Sequence, residues 1–260
     1  MELCFIVPRR WFRLSKEYSD FYLPIAHQIK ESDKDLFQDK YCVLDNGAFE
    51  LGGSIDEDEL LEIAKWLEPN EVVVPDVIHD ANATMESASR FFSKCPVDYN
   101  YMFVPQGKTW EEWLKCYRWA LNHSFVDVIG FLCKVPFELD SGTAEVLNKP
   151  PQTLIRFEMV NKLKDMNLLS KPIHILGSID PIELPFLNRF PQVIRTDSKI
   201  AFWNGMHGKV LDEETGAGEE RVWEEMPFGY RGEGGYITGE QYSMAKINMD
   251  IYKRLGKGTR

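Results

Sequence analysis

The chain lacks most of the signatures of metal and cofactor enzymes. Its five cysteines, Cys4, Cys42, Cys95, Cys116 and Cys133, form no CxxC or CxC pair, so a zinc knuckle or dithiol redox motif has no support. Its five histidines, His27, His79, His123, His174 and His207, lack HxxxH spacing, and no metal is expected. No GxGxxG follows the first apolar run and no GxxxxGK[ST] occurs, which excludes the usual dinucleotide and P-loop sites and leaves no cofactor to expect. No stretch reaches the ~18 apolar residues of a membrane span. The opening MELCFIVPRRWF begins with an acid and carries too short an apolar run for a signal peptide, so a cytoplasmic location without a membrane partner is expected.

Positive charge is also scarce. Lys and Arg number 30 against 41 Asp and Glu, a net charge of −11, which is not the footprint of a general nucleic-acid binder. Local basic groups remain: Arg9, Arg10 and Arg13 near the start, Arg195 and Lys199 around Asp197, and a tail of Lys253, Arg254, Lys257 and Arg260 that reads as a solvated surface.

Short apolar runs, separated by helical segments, recur along the chain. Strands are expected at Leu3–Val7, Tyr41–Leu44, Val72–Val74, Tyr99–Val104, Val126–Cys133, Ile173–Leu176 and at Val193–Ile194 leading to Asp197. A further strand at 21–26 is weakened by Pro24. Ser54 with Glu57, and Thr109 with Glu112, have the spacing of capping boxes at helix starts. Trp110, Trp113, Leu114, Tyr117 and Leu121 form a helical stripe that reads as core. The Gly- and Glu-rich stretch 205–235 is expected to be a long loop or flap, and 239–255 a final helix. Alternating strands and helices predict an α/β fold with a parallel sheet. At 260 residues, one TIM-like (β/α)8 barrel of roughly 250 residues spanning 1–260 fits better than an open sheet.

In such a barrel the strand ends gather at one mouth. They would bring together Asp45, Asp76, Gln106, Gly130, Gly177 and Asp197. One carboxylate can attack a sugar carbon and a second can carry the leaving group's proton. A third carboxylate and an amide suit a purine edge. Phe49, Phe131 or Phe202 could sandwich the base. Each residue also has a plainer role open to it: Asp197 as a helix cap or loop aspartate, Gly130 as a packing or bulge glycine, His174 as a polar lining residue, and Arg195 and Lys199 as solvated or core-capping cations.

The ordered set resembles the tRNA-guanine transglycosylase superfamily over roughly residues 3–205. Asp45-Asn46-Gly47-Ala48-Phe49-Glu50 is similar to its DSGGFQ element, Asp76 after VVVP to its purine-reading aspartate, and Gln106-Gly107 after MFVP to its VQGG. Ile129-Gly130-Phe131 is similar in position to its base-binding strand, His174 to Gly177 to its LMGVG strand, and Asp197 falls where its nucleophile lies. Two departures stand out: the last strand reads RTDSK rather than DCVxPTR, and the zinc-binding subdomain is missing. With the shorter chain, these departures resemble the DpdA-type branch, the 7-deazaguanine DNA transglycosylases of phages and bacterial modification islands.

The resemblance implies exchange of a guanine, flipped from double-stranded DNA, for a free 7-deazaguanine base such as preQ0. Asp197 would be the nucleophile and Asp45 the general acid/base. Asn46, Asp76, Gln106, Gly130, Phe131, His174 and Gly177 would border the base, and Arg195 or Lys199 would hold a phosphate. Metal and nucleoside triphosphate are not required. A homodimer is left open. So are tRNA as substrate, a glycosidase or nucleoside hydrolase with the same carboxylate pair, and a base-binding module without catalysis.

Overall fold

The computed structural model describes residues 1–95, 99–140, 142–147, 150–178, 180–212 and 238–257. Seven parallel strands form one sheet: β1 (Glu2–Phe5), β2 (Val43–Leu44), β3 (Glu71–Val73), β4 (Asn100–Phe103), β5 (Val128–Phe131), β6 (Ile173–Ile175) and β7 (Val193–Ser198). Their order is β1-β7-β6-β5-β4-β3-β2, so chain neighbours are sheet neighbours from β2 to β7 and β1 closes beside β7. Helical segments lie between them, as parallel connections require.

The sheet is curled. Arg195 on β7 donates from Nη2 to both carboxylate oxygens of Glu71 on β3, each at 2.7 Å. In a flat sheet those strands, four spacings of ~4.8 Å apart, would stand ~19 Å from each other, beyond the reach of the two side chains. The segment that follows β1 approaches β2 on its open side. Tyr22 and Ile25 make isolated parallel bridges to Cys42 and Asp45. Asp20 N also donates to Leu3 O at 2.7 Å, linking the same segment to β1. Pro24 has no N–H to give, and no regular eighth strand forms there.

Alternation sorts the side chains. Cys4, Val43, Val73, Met102, Val104, Val128 and Leu132 cluster inside the curl with Phe21 and Leu23 of the bridging segment. Leu44, Val72, Phe103, Ile129, Phe131, Ile173 and Ile175 belong to the larger core shared with the helices. Those helices are α1 (Phe12–Tyr18), α2 (Ala48–Leu51), α3 (Glu57–Leu67), α4 (Ala81–Lys94), α5 (Trp110–Leu121), α6 (Gly142–Val146), α7 (Ile155–Asp165), α8 (Leu184–Leu187), α9 (Ile200–Met206) and α10 (Gly239–Lys257). In α5 the expected stripe is core, with Trp113 and Tyr117 buried and stacked at 5.1 Å between centroids.

Local chemistry corrects two details. The cap of α3 is Asp56, whose side chain accepts from Asp58 N and Glu59 N, rather than Ser54. Thr109 caps α5 as expected, but Glu112 accepts from Lys108 N, one residue before the cap. The stretch read as a loop from 205 starts too early. Gly205 lies within α9, where an added Cβ would meet Ala245 N at 2.3 Å, so the glycine lets α9 and α10 touch backbone to backbone. The rest of that stretch from 213 lies outside the described residues. Among the described residues no helix is long and apolar enough to cross a membrane.

Candidate active site

At the C-terminal end of the strands lies a cavity of about 90 Å³, lined among others by Asp45, Asp76, Asp197, Asn46, Glu50 and Lys199. That is several times the 10–15 Å³ one water needs. Ile6, Leu23, Val73, Val104 and Leu176 make its walls apolar, so charges inside interact in little water.

Asp45 and Asn46 are set by the turn after β2. Asp45 Oδ1 accepts from Gly47 N at 2.7 Å, and Asn46 Oδ1 from Ala48 N at 2.8 Å, two Asx turns in succession. Gly47 has a φ of +74°, and an added Cβ would meet the His27 ring at 2.5 Å, so a side chain is excluded on both counts. The turn leads into α2, which holds Phe49 at the mouth, 47% exposed.

Asp76 is fixed from both sides. Oδ1 accepts from Asn46 Nδ2 at 2.8 Å and Oδ2 from Gln106 Nε2 at 2.5 Å. Burial pushes its carboxyl up to about 6, against the lowering effect of these two donors. Gln106 also accepts from His79 N at 3.0 Å. The amide expected to meet a base edge is therefore committed to holding Asp76, and it does not line the cavity.

Asp197 lies in β7 rather than beyond its end. His174 Nε2 stands 3.0 Å from its Oδ1, and Gly177 N donates to Oδ2 at 3.1 Å. Gly177 reaches that position through a left-handed turn, φ +59°. The turn is backed by a second buried ion pair: Arg156 donates to Leu176 O and to Glu183, which also accepts from Ser178 Oγ.

The acids differ in environment. Burial holds Asp45 well above the ordinary carboxylate range, with repulsion from Glu50, Asp197 and Asp76 adding to it. Glu50, at the solvent-facing rim, is raised by desolvation and by Asp197, while Lys199 lowers it. The cavity thus contains a carboxyl whose hold on its proton is strengthened by burial, Asp45, and one whose two oxygens are each met by a nitrogen of the neighbouring strand and turn, Asp197.

Several expected site residues lie elsewhere. Arg195 cannot hold a phosphate: it is 3% exposed, bonded to Glu71 and packed over the Phe21 and Tyr41 rings. Phe131 faces outward, edge-on to Trp113 at 5.1 Å, because odd residues of β5 point to the helices. Phe202 is buried in the core shared with α10. Gly130 faces the interior, where a Cβ would strike Val104, Leu176 and Met102 at 2.9–3.0 Å, which makes it a packing glycine. His174 does not line the cavity but sits behind Asp197. Glu50 also lines the cavity, a residue to which the sequence alone assigns no role. Its signal was its place three residues after Gly47, on the first turn of α2. No protein-family model matches this chain, and no curated protein matches it.

Proposed function

We propose that this chain is a DNA-guanine transglycosylase of the DpdA-type branch, on a (β/α)8 barrel whose eighth stave is the bridging segment 22–25. The observation that carries the reading is the convergence of Asp45, Asp76 and Asp197, distant in sequence, on one apolar-walled cavity. An acid whose proton is held more tightly by burial, Asp45, beside an acid fixed by hydrogen bonds, Asp197, suits the division of labour that glycosyl transfer needs.

The steps follow from those roles. A guanine flipped from the duplex stacks on Phe49, and the carboxylate of Asp76 accepts from its N–H edge. Asp197 attacks C1′ while the bond from C1′ to N9 breaks, and Asp45 gives its proton to the departing base. The deoxyribose is then an ester of Asp197. A 7-deazaguanine enters the vacated space. Asp45, now a carboxylate, takes the N9 proton, N9 attacks C1′, and Asp197 leaves as the carboxylate. Protons and charge balance over the cycle without metal or nucleoside triphosphate. Lys199, which lines the cavity, would meet the phosphate of the flipped nucleotide.

The test is exchange of radiolabelled guanine into duplex DNA, with tRNA in parallel, and trapping of a protein–DNA adduct by denaturation. Label is expected in DNA. Asp197→Asn is expected to abolish both exchange and trapping. Asp45→Asn is expected to slow adduct formation by ~10²–10⁴-fold. Label in tRNA alone would move the substrate class, and release of free base without exchange would make the protein a hydrolase. An adduct that persists in Asp197→Asn would remove the nucleophile assignment.

A further inference from the structure

His174 faces the inside of the curl, between Phe21 and Asp197, while Ile173 and Ile175 beside it on β6 face the helix-side core. It is fully buried, with its ring edge-on to Phe21 at 5.5 Å and 88°. Its Nε2 meets Asp197 Oδ1, and three residues further along the same chain segment Gly177 N meets Oδ2. Both oxygens of one cavity-lining carboxylate are therefore held from a single neighbouring strand and its turn.

The proton on that ring can be placed. Burial lowers the His174 pKa, Arg195 adds to the lowering, and Asp197 and Glu71 oppose it. A neutral imidazole carries one N–H, and a carboxylate oxygen only accepts. With Asp197 in the ionised form that a nucleophile requires, the proton is on Nε2. Nδ1 is left bare, and it is buried with no hydrogen-bond partner among the described residues. A buried polar atom without a partner costs stability, so the polar contact the imidazole makes here is through its other nitrogen.

We propose that His174 is a positioning residue for Asp197: as a neutral Nε2–H donor it fixes the carboxylate at the cavity wall. The inference rests on Asp197 being the nucleophile. In the attack, the two donors hold the carboxylate in one orientation toward C1′. When the ester breaks, the same donors meet the negative charge that returns to the carboxylate oxygens. His174 itself transfers no proton.

The charged groups facing His174 are Asp197 and Arg195 from β7 and Glu71 from β3. None of them needs to change charge for the donor to work. His174→Phe keeps a ring against Phe21 and removes the donor. His174→Gln restores an N–H. With labelled guanine and duplex DNA, His174→Phe is expected to lower kcat by about 10²-fold with KM for the free base little changed. His174→Gln is expected to recover most of that loss. Wild-type kcat in a folded His174→Phe protein, or a His174→Gln protein as slow as His174→Phe with both melting near wild type, would overturn the proposal.

A measurement on the wild-type protein stands apart from activity and from the folding of variants. Nitrogen-15 spectra of labelled histidine should show the neutral Nε2–H form of His174 at about pH 7 and above, and its signal should shift in Asp197→Asn. An Nδ1–H or doubly protonated ring would refute the clamp. If the wild-type protein exchanges no base, the transglycosylase reading fails, and the spectra still decide whether His174 holds Asp197 in this way.

Discussion

Arg195 and Glu71, 124 residues apart in the chain, share two hydrogen bonds of 2.7 Å inside the curled sheet. Each is almost wholly buried. The guanidinium lies over the Phe21 and Tyr41 rings at 5.4 and 5.0 Å from their centroids, so its charge is met from the face as well as the edge. The pair ties β7 to β3 beneath the cavity and helps set the curl that brings Asp197 to Asp45.

Removing one partner of a buried pair leaves the other charge without compensation. Glu71→Gln is expected to lower unfolding free energy by about 3–5 kcal/mol in urea titration. Replacing both, Glu71→Leu with Arg195→Met, should recover much of that loss, because two apolar side chains need no partner. A Glu71→Gln protein as stable as the wild type would mean that the pair does not hold the sheet.

Asp76 makes stability depend on pH in a stated direction. Its carboxyl titrates at about 6 in the fold, against 3.8 for an ordinary aspartate. Below pH ~4 it is protonated in folded and unfolded chains alike. Between ~4 and ~6 unfolding releases its proton, so its contribution falls as pH rises, by roughly 3 kcal/mol in total. Asp45 and Glu183, also raised by burial, remain in an Asp76→Asn variant. The wild-type minus variant difference in urea midpoint, measured from pH 4 to 7, should therefore report Asp76. A difference that is flat over this range would contradict the assignment.

Gly205 marks where α9 meets α10. A methyl group there would overlap the Ala245 backbone at 2.3 Å, which no rotamer can relieve. Gly205→Ala is expected to cost about 1–3 kcal/mol despite its better helix propensity. Gly53→Ala, with open space around it, serves as the control and should melt close to wild type. Equal melting temperatures for the two variants would show that α9 and α10 do not pack in this way.

The strands were legible in the sequence because each is a short β-branched or aromatic run closed by a turn residue, and such runs bury on both faces of a parallel sheet. Asp45, directly after Val43-Leu44, was legible for the same reason, whereas Asp197, three residues past Ile194, lies within β7 rather than beyond its end. Arg195 misled. A cation two residues from a site aspartate has the look of a phosphate contact, and only the partner at Glu71, brought in by the curl, makes it an interior residue. Phe131 misled because the face it takes depends on the pleat of β5, which the composition of VIGF does not reveal. Gln106 reads as a base contact until Asp76 is seen to occupy its amide.

The order of amino acids alone determined the alternation of strands and helices, the helix stripes, the Asx turn at Asp45-Asn46-Gly47 and the list of acids available for chemistry. These depend on neighbours a few residues apart, and local sterics and hydrogen bonding decide them. Tertiary structure decided which acids meet, which of them burial makes harder to ionise, and which polar groups serve each other instead of a ligand. Those outcomes depend on burial and on contacts across more than twenty residues of chain, as between His174 and Asp197, and the energy of a charge is set by what the fold places around it.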